Sequence, residues 1–353
     1  MKKLLLASVA VSGLAFAAPA HADIDLNVGG YFKGYGVFTS QDETTGTDVN
    51  GFDFIRDTEI HLGGETTLDN GLTVGARFEF KVDGNDTTTV DESYVYFSGD
   101  WGRVNFGAED GAAYLLQVAA PSADSNLDGL RQYVSPFAAA TNFAPIRLDY
   151  DQNTAGKNDK LTYLSPVMSG VQVGLSFTPD ADAADDFTIG TSANTAGATN
   201  EVYEIAIRYE GQFQNVGVIA GAGYGLGVED GSSATTDDVQ DWNIGLDLDI
   251  GPFGIGAAYV TTNQGLSGTA SADISDIVIG VDYTTGPFKI GATYFNQDTD
   301  NGTEYDRYTA GVTYEYGPGM SFRGSIQHLE QDNVAAGTDT DGTSLVLGTQ
   351  INF

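Results

Sequence analysis

The final stretch of the chain, Ser344–Phe353 (SLVLGTQINF), limits what the rest can become. Read with period two, Leu345, Leu347, Thr349, Ile351 and Phe353 lie on one side of a strand, and Ser344, Val346, Gly348, Gln350 and Asn352 on the other. Such a strand has one face at an apolar boundary and one against water. Terminal residues of a soluble domain usually fray, yet this segment stops on its most hydrophobic side chain. Its strand is expected to be paired and its ring anchored, as when a sheet closes on itself.

The same period recurs upstream. Leu72, Val74, Ala76, Phe78 and Phe80 alternate with Thr73, Gly75, Arg77, Glu79 and Lys81. Trp242, Ile244, Leu246, Leu248 and Ile250 alternate with Asn243, Gly245, Asp247 and Asp249. Between such segments two sorts of connection take turns. Seven are short and rich in Gly, Pro and Asn, among them Leu68–Gly71, Pro166–Gly170 and Tyr316–Gly319. Eight are polar and acidic, at about 40–52, 83–87, 109–156, 180–199, 226–237, 263–271, 297–302 and 332–341. Together they join 16 strands, an even number with both ends on the short-turn side. Aromatics at strand ends, such as Phe253, Tyr283, Phe288, Tyr316 and Phe322, suit an interfacial girdle.

Residues 1–22 read as an export leader. Lys2 and Lys3 form its positive start, Leu4–Ala17 its apolar middle and Ala20-His21-Ala22 its cleavage site. The folded domain is therefore expected over 23–353. Of 15 basic residues two leave with the leader, so 13 face 49 acidic ones, a formal charge of −36. Such a surface repels nucleic acid, which is excluded as a partner. With no cysteine there is no disulfide, thiolate metal site or thiol nucleophile. Beyond the leader no apolar run reaches about 18 residues, so a membrane could be crossed only by a closed sheet. The expected fold is all-β: a 16-stranded antiparallel up-and-down transmembrane β-barrel. A secreted β-sandwich also alternates, but has no reason to gather every long loop at one end.

Several stretches carry a resemblance: Gly64-Glu65-Thr66, Asp91–Phe106 (DESYVYFSGDWGRVNF), Lys160–Phe177 (KLTYLSPVMSGVQVGLSF) and the terminal Phe353. With the hairpin rhythm they make the chain similar to Gram-negative general porins, nearest to those of purple and related alphaproteobacteria. The resemblance implies a homotrimer in the outer membrane, among its lipid and lipopolysaccharide, passing small hydrophilic solutes passively. It also implies a last strand read by the barrel-assembly machinery, here Phe353 with Ile351 and Leu347 on the same face.

A barrel this wide leaves an aqueous channel, and something must narrow it. The connection 109–156 is far longer than a hairpin needs. Unlike its siblings it carries apolar residues, Tyr114, Leu115, Leu116, Val118, Tyr133, Phe137 and Phe143 among them. It is expected to fold into the lumen as the constriction loop, with Glu109, Asp110, Asp124 and Asp128 among its acids. In enterobacterial porins an arginine cluster on the wall opposes such a loop. The counterparts by position are Arg77 and Arg103 with Lys33, while Glu59 stands where that family has a wall arginine. That departure, with acidic outer loops, predicts weak cation selectivity. A substrate-specific channel is the rival reading, hinted at by Tyr31 and Tyr35.

Asp149-x-Asp151-x-Asn153 begins like a calcium loop, but Thr154 stands at its sixth position and Lys160 at its twelfth, where Gly and Glu belong. It is no EF-hand. Loop calcium at Asp149 and Asp151 is the single metal expectation, and no other cofactor is expected. No enzyme is expected either: His61 and His328 fall on different strands and faces, and no G-x-S-x-G, HExxH or P-loop is present.

Overall fold

A computed structural model describes residues 25–43, 48–84, 87–138, 147–181, 197–229, 235–268, 273–333 and 338–353. The leader expected at 1–22, and Phe143 of the long loop, lie outside them. The first eight strands are β1 (Asp25–Gln41), β2 (Phe52–Thr67), β3 (Thr73–Gly84), β4 (Thr87–Gly99), β5 (Gly102–Ala108), β6 (Asp159–Leu164), β7 (Val171–Thr178) and β8 (Thr199–Phe213). Then follow β9 (Val216–Glu229), β10 (Val239–Ile250), β11 (Phe253–Thr262), β12 (Ile274–Thr285), β13 (Phe288–Thr299), β14 (Thr303–Gly317), β15 (Met320–Asn333) and β16 (Thr338–Asn352).

Each strand pairs antiparallel with its neighbours in sequence, and β1 pairs with β16, so the sheet is a closed barrel with no free edge. The strand number and the alternation of short and long connections are as the sequence predicts. Gly71 and Gly319 take φ of 82° and 75° in their turns, a region that costs a side chain but not glycine. At the closing seam Leu347 lies opposite Gly36 and Gln350 opposite Lys33. The Phe353 N–H donates to the Gly30 carbonyl at 3.1 Å, and the Gly30 N–H returns a bond to the Phe353 carbonyl at 2.9 Å. The final residue is paired, not frayed.

The outward positions are apolar and bare. Ile244, Ile205, Ile290, Leu347 and Phe353 are all exposed, a band that only hydrocarbon can cover. Outward aromatics touch across strands near the short turns, Phe253 with Tyr283 at 4.9 Å and Phe288 with Tyr314 at 4.8 Å. Near the long loops Phe38 meets Phe52 at 4.6 Å and Tyr224 meets Trp242 at 4.2 Å.

The buried apolar residues are inside the ring. One cluster joins Ala120, Phe137, Leu148 and Tyr150 to the inward side chains Ala258, Val260, Val278, Phe295, Tyr305 and Leu329. A second joins Leu127 and Val134 to Tyr35, Val37 and Val346. Each buried Val, Leu or Phe among them contributes roughly 1.5–3 kcal/mol. The described parts of the third loop, 109–138 and 147–158, are therefore held to the inner wall by two cores of their own.

Candidate pore and constriction

Across five consecutive strands the wall is bare glycine where the loop crosses it. A Cβ on Gly221 of β9 would lie 2.9 Å from Val118, and one on Gly245 of β10 would lie 2.5 Å from the Val118 carbonyl oxygen. On Gly256 of β11 it would meet Pro121 at 2.7 Å, on Gly280 of β12 the Pro121 carbonyl oxygen at 1.8 Å, and on Gly291 of β13 the Ala123 nitrogen at 2.8 Å. Residues 118–123 thus form a strap seated in a glycine groove. The sequence carried this signal, glycine at inward positions of successive strands, although it was not singled out above.

Past the strap the loop is tied by charge. A short helical turn, α1 (Ser125–Asp128), is capped by Asp124, whose carboxylate accepts from the Asn126 N–H. The same carboxylate accepts from Arg323 Nη1 of β15 at 2.6 Å and from the Tyr35 hydroxyl of β1 at 3.0 Å. Asp128 accepts from Thr309 at 2.9 Å and lies 3.5 Å from Arg307 Nε, both charges fully buried. Burial pushes the Asp128 carboxyl up to about 6, against the opposing pull of Arg307. The loop's two ends meet at Lys160, whose ammonium donates to the carbonyls of Glu109, Gly156 (2.9 Å) and Asn158 (2.7 Å). All three of its protons are used.

Among the described residues, two polar cavities lie against β1–β5. A cavity of about 650 Å³ is walled by Asp57, Glu59, His61, Arg77, Glu79 and Lys81 on one side and by Asp110, Tyr114, Arg131 and Tyr133 of the loop on the other. A second, of about 440 Å³, continues toward the short-turn end past Tyr94, Tyr96 and Arg103, and shares Tyr31, His61 and Arg77 with the first. The two form one path beside the loop. Around its larger part Asp57, Glu59, Glu79, Asp91, Glu92 and Asp110 are set against Arg56, Arg77, Lys81, Arg131, Arg147 and Lys157, in formal balance.

The structure sorts the expected constriction residues. Arg77, Arg103, Glu59 and Asp110 border the path. Glu109, Asp124 and Asp128 line neither cavity: all are buried, as Glu59 and Asp110 are, but turned to the wall, a correction to their expected place in the opening. Asp124 and Asp128 find Arg323 and Arg307 on strands distant in sequence, while Glu109 accepts from Asn105 only four residues before it. Lys33 is also covered, 4 % exposed, its ammonium 3.8 Å and 3.1 Å from the ring centres of Tyr31 and Tyr133 and 3.4 Å from Asp57. Tyr35 anchors the loop instead of starting an aromatic track.

The expected contrast of basic wall and acidic loop is replaced by mixed charge on both. On the loop, Arg131 holds Asp110 at 2.5 Å and Asp151 at 2.8 Å and lies over Tyr114. On the wall, Arg77 donates to Glu79 at 2.5 Å, and Arg103 rests on the Tyr96 ring while donating to Asn105 at 2.6 Å. Asp149 accepts from the Gln132 N–H and from Arg147, so both acids expected to hold calcium have protein donors. Leu347, Ile351 and Phe353 share the outward face, as expected.

Comparison with known proteins agrees with this geometry. A sequence profile described as Gram-negative porin matches residues 7–334. An anion-selective porin from Comamonas acidovorans superposes with a TM-score of 0.66 at 15 % identity, covering 94 % of this chain and all of that one. A mutant of the Rh. blastica porin superposes with a TM-score of 0.58 at 20 % identity, covering 93 % of this chain and 100 % of the other. A loop-deletion mutant of the Vibrio cholerae outer-membrane protein OmpT gives 0.60 at 14 % identity, covering 94 % of this chain and 99 % of the other. Among curated proteins, an uncharacterized protein of Rickettsia conorii is 23 % identical over 216 residues, 51 % of this chain, and the match spans about half of that protein's length.

Proposed function

This chain belongs to the Gram-negative porin family, and on that premise we propose that it is a general diffusion pore of weak cation selectivity. The family and the closed 16-strand ring make it an outer-membrane β-barrel channel, and point to a channel rather than an enzyme. One observation carries the finer reading: the strap fills the lumen beside β9–β13 and leaves a polar, near-neutral path along β1–β5. A near-neutral path lets small solutes of either sign through. The bias comes from the mouth, where Asp42, Asp237, Asp300 and Asp341 stand on or beside the long loops. Field focusing there raises local cation concentration. The fold alone sets no sign, since the Comamonas neighbour is named as anion-selective.

The reversal potential of reconstituted channels under a potassium chloride gradient tests this. Cation preference is expected at low salt, shrinking toward 1 M as the Debye length falls to about 3 Å. Anion preference at low salt overturns the acidic-mouth mechanism.

A trimer is part of the same proposal. The outward cleft around Gly34 and Gly36, about 610 Å³ and lined by Phe32, Phe54, Phe322 and Leu347, suits a neighbouring copy. Chemical cross-linking in native outer membranes should stop at three chains. The outward Phe353, Ile351 and Leu347 remain the proposed assembly signal.

A further inference from the structure

Near the middle of the path, β2 and β3 bring a histidine between two carboxylates. Glu59 and His61 are two apart on β2 and so share the inward face, and Glu79 of β3 is the direct cross-strand partner of His61. His61 Nε2 lies 3.1 Å from Glu59 Oε2 and 3.7 Å from Glu79 Oε2. One ligand atom from each residue falls within 4.8 Å of the others. Two paired strands of a closed sheet hold all three, which is the rigid support a binding constellation needs. The Tyr31 ring closes one side edge-on at 5.9 Å, and the larger cavity opens on the other.

The hydrogen bonds show which ring nitrogen is aimed at the carboxylates. Arg77 Nη2 lies 3.2 Å from His61 Nδ1. A guanidinium only donates, so Nδ1 accepts and the Nε2–H points between Glu59 and Glu79. Here one hydrogen serves a position that three donor atoms can share.

We propose that Glu59, His61 and Glu79 form a lumenal binding site for one divalent transition-metal ion, of which Zn²⁺ is the probe. One imidazole and two carboxylates, with open positions toward water, match the nitrogen and oxygen donors that zinc accepts. On loading, the ring proton passes from Nε2 to Nδ1 and Nε2 binds the ion, so the imidazole stays neutral. Arg77, whose side chain is 42 % exposed, swings off Nδ1 and keeps its bond to Glu79. The bound ion cancels both carboxylate charges in the path. Its effect on ion flow rests on the pore reading; the binding itself does not.

The test is calorimetric titration of Zn²⁺ into the purified, detergent-solubilised chain with millimolar Mg²⁺ present. One Zn²⁺ per chain is expected, with Mg²⁺ unable to displace it. His61→Gln and Glu79→Gln should each weaken binding at least about tenfold, the loss that even a supporting residue's removal can cause. The double variant Asp149→Asn/Asp151→Asn should bind as the unaltered chain does. Absence of stoichiometric uptake, displacement by Mg²⁺, or equal binding by His61→Gln overturns the site. If the variants misfold, anomalous scattering at the zinc edge from soaked crystals of the unaltered chain decides: a peak between the three side chains supports the site and its absence refutes it. Zn²⁺ uptake by a chain that conducts no ions would leave the metal site standing and refute the pore.

Discussion

Replacing Gly280 by alanine tests whether the strap is truly seated on the wall. The added Cβ would lie 1.8 Å from the Pro121 carbonyl oxygen, where ordinary contact begins near 3.4 Å, so one side must yield by about 1.6 Å. The wall is the stiffer side: Gly280 is laddered to Gly256 on β11 and to Thr293 on β13. The strap therefore moves, inward toward β1–β5. A shift of that size breaks the 2.7 Å bond from the Thr313 hydroxyl to the Ala123 carbonyl and strains the 2.6 Å pair of Arg323 with Asp124. Overpacking costs about 1–3 kcal/mol, and a lost hydrogen bond about 1 kcal/mol more. Gly280→Ala should thus lose about 2–4 kcal/mol in urea unfolding, narrow the path and lower single-channel conductance. Gly317→Ala, where nothing lies within 4 Å of the new methyl, is the control and should stay within about 0.5 kcal/mol. Wild-type conductance and stability for Gly280→Ala would refute the seated strap.

Three further outcomes follow from the loop. Burial pushes the Glu109 carboxyl from its ordinary 4.5 up to about 7. The folded chain then holds that proton longer than the unfolded one, so stability is greatest below about pH 4.5 and falls as pH rises to about 7. Glu109→Gln removes this slope: in urea titrations it should match the parent at pH 4 and exceed it by up to about 3 kcal/mol at pH 8, and a parallel pH dependence of the two would contradict this. Asp124→Ala strands Arg323, which is 11 % exposed, and should cost about 3–5 kcal/mol by the same measurement; a loss under 1 kcal/mol would mean the pair is not buried in solution. Tyr133→Ala uncovers the Lys33 ammonium, so the reversal potential should move toward anions, and Lys33→Met in the same background should move it back.

The ring was readable because its rule is local. Every wall strand must alternate between oil and water, so Leu345 to Phe353, or Trp242 to Ile250, declare their faces within a few residues. Turn chemistry at Leu68–Gly71 and Tyr316–Gly319 then set the hairpins. The loop was legible only as a long, unusually apolar segment. Two of its acids were misplaced because their partners are far away in sequence, Arg323 for Asp124 and Arg307 for Asp128; Glu109 has a near partner, Asn105, but no local rule says that it turns to the wall. Period two states that Lys33 points inward, but not that Tyr133, a hundred residues later, lies across it. Glu59 was singled out as a departure, and it does border the path. Its pairing with His61 and Glu79 required the strand register.

The contacts of Asp124 and Asn126 reach β1 through Tyr35, β15 through Arg323 and β16 through Gln350. These strands flank the joint where the barrel's beginning meets its end. The segment that throttles the hole is thereby also a rivet across that joint, driven from within. Loosening the throat at Asp124 and Asn126 therefore also gives up side-chain ties across the seam, which the β1–β16 ladder must then hold alone.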